Sequence, residues 1–552
     1  MTDKPIQAGM SLVEASQAVL GKTGRKLVIF GLMVIMILFE LDNSTISVYS
    51  NYATSEFGAL SALGSLNTAS MIAFGVVKLP IAKLSNIIGR GYTLAITISL
   101  YTVSYILMAS ASGIQLYAAG MVLYKIGQSA TNVMTTVIIS DITSLRWRGL
   151  AIGASYFPYL ITPWVSGFIV DSVISGIGWR WGVGIFAILM PFGASVIIGT
   201  LIYYQQRAKA AGLIAVKTNT IHSFCSDIDL GGVALFVTGF SLLLLPITIA
   251  GSLAHGWNNP WVISLIILGF VILLVLPVYE KFVAGNPMVP VFYFQNATIV
   301  FSILLISTDS LSYFCTHTYL YAWAVVSHNL SARDATFFNF TNGVTQCLAG
   351  IFAGGVMLAT SRYKWLVMGG AVVRLIGYGL MIRLRGQQSS IAELFIQQVI
   401  QGVGSGIIHT SLLVPPQASV PNDQIAQVLS LTLSCAVLGG SVGSAIAGGV
   451  YTNTLRPSLW KYLGGDSTPE LVDELYNSIT GVLPDWGTPE RVAVNFAYTD
   501  VMRNFVYIAV GVSVLTILMC FFLPDIPLPK THTALFNHRG LKEEAENPQE
   551  RK

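Results

Sequence analysis

Runs of about twenty predominantly apolar residues recur along nearly the whole chain, and this recurrence constrains the fold more than any motif. They fall at about 27–49, 66–84, 92–111, 114–140, 148–170 and 182–204. They resume at about 229–249, 261–279, 298–326, 335–359, 364–383, 392–414, 425–450 and 502–524. A helix of that length spans about 30 Å of hydrocarbon and satisfies its own backbone where no water can. The expected fold class is therefore an all-α membrane protein with fourteen transmembrane helices. Composition agrees, because only 10% of the 552 residues are charged, against about 25% in a soluble domain.

The even count places both termini on one side, and basic residues choose the side. With the N-terminus inside, nineteen Lys and Arg fall in inner segments and eight in outer ones. Both termini are expected to be cytoplasmic. Residues 1–26 read as a retained polar tail, since no short apolar stretch with a small-residue cleavage site opens the chain, and residues 525–552 as a second tail. Residues 205–228 read as a cytoplasmic linker, and 451–501 as an outer loop too long for a mere connector. Its segment TPELVDELYNSIT (468–480) has acids early and apolar residues at helical spacing, which predicts a short surface helix. A net charge of +4, dispersed along the chain, is too small to suggest a nucleic-acid partner, and none is expected. The five cysteines show no metal spacing and no cofactor site is visible. No GxxxxGK[ST] loop or sizeable soluble segment exists to hold a nucleotide, which argues against an ATP-driven pump.

Charges inside the apolar runs are the candidate functional residues, since a carboxylate at membrane depth costs about 2.5–3.5 kcal/mol or more and usually faces a bundle interior. Glu40 and Asp42 interrupt LVIFGLMVIMILFELDNSTISVYSNYATSEFG with no turn signal. Either the first helix ends near Glu40, or it carries both acids to depth. They lie about 200° apart around a helix, so they cannot both face one cavity fully. Lys78 and Lys125 are cations in the second and fourth runs, Lys78 reading as near a helix end and Lys125 as mid-span. Asp309 and Arg374, in the ninth and eleventh runs, read either as functional or as a structural ion pair. Aromatic and histidine residues crowd the ninth run (Tyr313, His317, Tyr319, Tyr321, Trp323) and the fifth (Tyr156, Tyr159, Trp164). Interfacial belts account for some of these, Trp164 and Trp323 above all.

The stretch AKLSNIIGRG (82–91) resembles the loop signature of the major facilitator superfamily, Gly-x-x-x-Asp-Arg/Lys-x-Gly-Arg. Gly89 and Arg90 match, Ala82 stands for the first glycine, Ile87 for a basic residue, and Asn86 replaces the aspartate, losing its charge. SDITSLRWRGLAIG (140–153), which holds Asp141, Arg146 and Arg148, is similar to the fungal siderophore–iron transporter family of that superfamily. So are IGWRWGVGIFAILMP, GWNNPWVISLIILGFVILLVLPVYE, LDNSTISVYSNYATSEFG and NFAYTDVMRNF (495–505). The resemblance spans nearly the whole chain. It implies a six-helix half at 27–204, an extra helix pair at 229–279, and a second half at 298–524, each half built from inverted three-helix repeats. The fifth run, AIGASYFPYLITPWVSG, lacks the glycine–proline signature of the drug–proton antiporters, which leans toward uptake.

The resemblance further implies a proton-coupled importer of ferric siderophores working by alternating access, with the chelate, protons and the lipid bilayer as partners. Asp42, at the position matching the family's element, is the first proton-coupling candidate, with Glu40 and Asp309 behind it. Lys125, Tyr156, Tyr159, Tyr313, His317, Tyr321 and His409 are cavity candidates. The histidines would donate to the ligand or relay protons, and direct iron ligation is not expected because the chelator fills the metal's coordination sphere. Tyr498 and Arg503 are candidates at the outer loop, and Asn86, Gly89, Arg90, Asp141, Arg146 and Arg148 form the inner-face motif. A proton-coupled exchanger of glutathione and a non-transporting sensor on the same scaffold are the alternatives. The expected location is the plasma membrane, with an endosomal or vacuolar membrane as the alternative.

Overall fold

The computed structural model describes residues 19–142, 157–211, 226, 229–250, 258–285, 287, 291–386, 389–420, 425–464, 468–479 and 483–527. Those residues form helices and connecting turns, with no strand among them. In chain order the helices are α1 (Lys22–Glu56), α2 (Leu63–Ile88), α3 (Arg90–Ala109), α4 (Ile114–Ile142), α5 (Thr162–Ser175) and α6 (Gly178–Gly184). There follow α7 (Phe186–Ala210), α8 (Leu230–Ile249), α9 (Pro260–Phe282), α10 (Ala297–His317), α11 (Leu320–His328) and α12 (Ala332–Thr360). The last are α13 (Lys364–Leu384), α14 (Ile391–Ala418), α15 (Ile425–Leu463), α16 (Pro469–Asn477) and α17 (Pro489–Phe522). Eleven helical segments among the described residues are long and apolar enough to cross a membrane. The chain is a multi-pass membrane protein.

α1 answers the question raised by its acids, because it continues unbroken through Glu40 and Asp42 to Glu56. Its polar side chains stay compatible with helix in an apolar setting by bonding carbonyls one turn back. Ser44 donates to the Glu40 carbonyl at 2.8 Å, Thr45 to that of Leu41 at 2.9 Å, and Thr54 to that of Ser50 at 2.8 Å. Small residues let its neighbours approach, as membrane helices require in the absence of a hydrophobic drive. Gly31 sits against Ile197 of α7, and Gly193 of α7 against Leu38.

The chain divides into two compact units. The first comprises residues 1–288, 317–340 and 444–502; the second comprises 289–316, 341–443 and 503–552. In the first, α1 packs on α5 and α7, α4 on α2 and α3, and α8 on α2 and α9. α9 turns Ile263, Ile267, Phe270, Val271, Leu274 and Val278 outward, as a lipid-facing helix does. In the second, α13 packs on α14 around Leu305, Ile306, Tyr363, Val367, Ile408 and Leu412.

The surface helix expected at 468–480 is α16, with Thr468 as its N-cap accepting from the Leu471 amide at 3.3 Å. The long loop is shorter than its sequence limits. α15 runs on to Leu463 and α17 begins at Pro489, so 464–488 alone connects them. The 39 residues of α15 extend about 58 Å, well beyond a hydrocarbon core of about 30 Å. Hydropathy marks only the lipid-immersed part of such a helix, which is why its ends read as loop.

Candidate functional site

Asp42 lies in the first unit, enclosed by α3 and α4 and fully buried. Tyr101 and Tyr124 both donate to its Oδ2, at 2.9 and 3.0 Å. Tyr105 packs edge-on against Tyr101, ring centres 5.1 Å apart, and makes no hydrogen bond to the carboxylate. The three rings pack on one another, Tyr101 stacked on Tyr124 at 5.4 Å. No ion pair involving Asp42 occurs among the described residues.

A polar relay leaves this cage. Gln128 Nε2 donates to the Tyr124 hydroxyl at 3.2 Å and to Asn43 Oδ1 at 2.9 Å, while its Oε1 accepts from Lys125 Nζ at 2.6 Å. Asn43 in turn faces Glu40, which is buried and whose Oε2 finds no partner among the described residues. The two acids are thus separate around the helix, as their spacing requires, and the bonded chain from Asp42 runs through Tyr124 and Gln128 to Asn43. Lys125 lies over the Tyr124 ring at 5.1 Å.

Asp309 belongs to the second unit and has a different setting. Arg374 grips it with Nε to Oδ1 at 2.6 Å and Nη2 to Oδ2 at 3.2 Å. Ser405 adds a hydroxyl at 3.0 Å, and His409 Nε2 lies 3.2 Å from the same oxygen. Arg374 also donates to Gln401 Oε1 at 2.8 Å and lies over the Tyr378 ring. Of the two readings of Asp309 and Arg374, the structure contains the ion pair. Tyr313 is half-buried nearby, edge-on to Phe314 at 5.1 Å.

At the end of the first unit that carries 464–488, tyrosines form a plug. Tyr319 stacks on Tyr451 with ring centres 4.0 Å apart, donates to the Ser61 carbonyl at 3.1 Å, and accepts from the Gly64 amide at 3.1 Å. Gly64 allows this because its Cα meets Gly448, where a side chain would collide. Tyr451 donates to the Tyr476 carbonyl and Tyr498 to that of Leu475, each at 3.0 Å. Tyr498, expected to face a ligand, is here buried and anchors α16. Tyr321 pairs with Tyr52, hydroxyl to hydroxyl at 2.9 Å, and His317 is buried at the end of α10. Arg503 is exposed midway along α17, and Tyr159 is half-buried.

At the opposite end, Arg90 donates to Asp141 Oδ2 at 2.8 Å and to Ser85 Oγ at 2.7 Å. Gly89 adopts φ +96° between α2 and α3, a conformation L side chains rarely take, and a Cβ there would strike Gln205. Gln205 itself donates to the Ile88 carbonyl at 2.9 Å and closes the turn. Arg146, Arg148, Tyr156 and the side chain of Asn86 lie outside the described residues.

No sequence motif singles out Tyr101, Tyr105, Tyr124, Gln128 or Asn43. A signal existed: Tyr101 and Tyr105, and likewise Tyr124 and Gln128, stand four apart, on one face of a helix.

Residues 32–327 match the Major Facilitator Superfamily model. The chain is 30% identical over 514 residues to Siderophore iron transporter 1 of Schizosaccharomyces pombe, covering 92% of this chain and 84% of that protein. It is 27% identical over 543 residues to MFS siderochrome iron transporter C of Aspergillus fumigatus, covering 96% and 88%. The fold is similar to that of a bacterial homolog of the human lysosomal transporter Spinster in an inward-facing, unoccupied conformation. That match has a TM-score of 0.60 at 13% identity, covering 91% of this chain and 98% of that one. By these matches the chain belongs to the Major Facilitator Superfamily and, within it, to the fungal siderophore–iron transporter family.

Proposed function

We propose that this protein imports a ferric siderophore by alternating access, driven by protons, through fourteen spans with both termini cytoplasmic. The two six-helix halves are residues 27–204 and 298–524, with 229–279 an inserted pair. The plasma membrane is the site of action that suits uptake from outside. The relatives' names supply the substrate class. The single observation that supports proton coupling is the setting of Asp42, a carboxylate buried among phenols with no cation paired to it among the described residues. Such a group is costly as an unpaired anion and cheap as a neutral acid. The phenols hold it in place without fixing its charge, so it can take a proton and give it up. Asp309, gripped by Arg374, lacks that freedom and is better suited to holding helices together.

The stacked Tyr319 and Tyr451, with Tyr498 behind them, support a reading of the 464–488 end as the closed outer gate. Opening would require Tyr319 to leave Gly64 and Ser61. α16 would then move as a lid over the arriving chelate, and Arg90 with Asp141 would brace the inner face.

The test is growth. A fungal strain lacking its own siderophore uptake and expressing this chain should grow on at least one ferric hydroxamate from a panel at iron levels that do not support the parent. Growth on none, with the protein present at the cell surface, would count against import. Export of glutathione under the same conditions would favour the exchanger.

A further inference from the structure

We infer that Lys78 and Lys125 form an anion subsite, one that takes a carboxylate borne on the transported chelate. This rests on the reading of the protein as a ferric-chelate transporter and narrows the class of chelate.

Both lysines belong to the first unit, and both ammonium groups lie on the Phe74 ring, Lys78 Nζ at 4.8 Å and Lys125 Nζ at 6.0 Å from its centre. Phe74 is fixed from behind, since Ser129 of α4 donates to its carbonyl at 2.6 Å. Lys78 is buried and lies ten residues before the end of α2, so it does not reach water from a helix end as its sequence position allowed. Neither lysine has a carboxylate within ion-pair distance among the described residues.

The local network compensates them only in part: the charge of Asp42 reaches half-buried Lys125 through space, and no acid makes direct contact with either ammonium among the described residues. Gln128 is oriented by its donations to Asn43 and Tyr124, so its oxygen is turned to Lys125, filling one of the three ammonium donors. Asp42 is committed to two phenols and stands beyond ion-pair contact with Lys125. At Arg374, by contrast, the fold supplies a carboxylate, an amide oxygen and a ring. A buried cation with no anion is costly. The ring quadrupole offsets only part of that cost. A ligand anion resting between the two ammonium groups would offset the rest. Phe74 would then form an apolar floor for the chelator's carbon skeleton. Lysine suits this role, being a compact point charge with donors that swing.

Binding to the purified full-length protein in lipid nanodiscs tests the subsite. The probes are a ferric trihydroxamate carrying one free carboxylate on its periphery and its methyl ester, equal in size and iron coordination. Wild type should prefer the acid by about tenfold. Lys78→Gln and Lys125→Gln should each bring the two affinities together by weakening the acid alone, while Lys78→Arg and Lys125→Arg keep the preference. Should the Gln variants fail to fold, the wild-type comparison of acid with ester decides. Equal affinities in wild type would overturn the subsite and leave chelate transport standing. Failure of both probes to bind would overturn the subsite, and growth on no chelate of the panel would overturn the transporter reading with it.

Discussion

Asp42→Asn is expected to abolish uphill uptake of the ferric chelate while leaving its binding within a few-fold of wild type. Asparagine keeps the shape of the side chain and an oxygen able to accept from Tyr101 and Tyr124, whose hydroxyls lie 2.9 and 3.0 Å from the native carboxylate. It removes the one property that matters to coupling, the capacity to bind and release a proton. One proton per chelate supports about tenfold accumulation for each unit of pH gradient. A membrane potential of 100 mV adds about 2.3 kcal/mol per charge moved. Both contributions should vanish in the variant, leaving equilibration at best. Tyr101→Phe and Tyr124→Phe are expected to slow uptake without uncoupling it, because each removes a donor and leaves the carboxyl. Accumulation of labelled chelate above the external concentration in Asp42→Asn would shift the role to Glu40, the second buried acid on α1.

The second large effect lies in the other unit. Removing either member of the Asp309–Arg374 pair should cost about 3–5 kcal/mol, since the partner is left as a buried uncompensated charge. Asp309→Asn and Arg374→Met are therefore expected to lower the thermal unfolding temperature of the purified protein sharply. The double variant should recover part of the loss, because no charge then remains unpaired. A double-mutant cycle on thermal unfolding measures this directly. Losses that simply add would mean that Ser405, Gln401 and His409 carry the cluster, with the ion pair incidental.

The membrane fold was legible because lipid imposes a length on each span and a uniform apolar character on most of its residues. Charges inside the runs were legible as sites for the same reason, and Asp42 needed no structure to be noticed. Its surroundings did need one. Tyr101 and Tyr124 stand on two helices other than that of Asp42, and no local pattern shows that two phenols converge on one acid. Tyr498 illustrates the opposite error. An aromatic residue in a long polar loop reads as a ligand contact, whereas α17 begins nine residues earlier and buries it against α16. The sequence places Lys78 near a helix end, but α2 passes through Pro80 and runs on to Ile88. The helix then carries the ammonium onto Phe74 instead of into water.

Proton movement tied to chelate movement is the central claim, and proteoliposomes holding the purified protein and a lumenal pH dye measure it most directly. With no imposed gradient, adding ferric chelate outside should acidify the lumen as chelate enters, in fixed ratio to the iron taken up. Asp42→Asn vesicles should show no acidification. Chelate entry in wild-type vesicles with no change in lumenal pH would contradict the account.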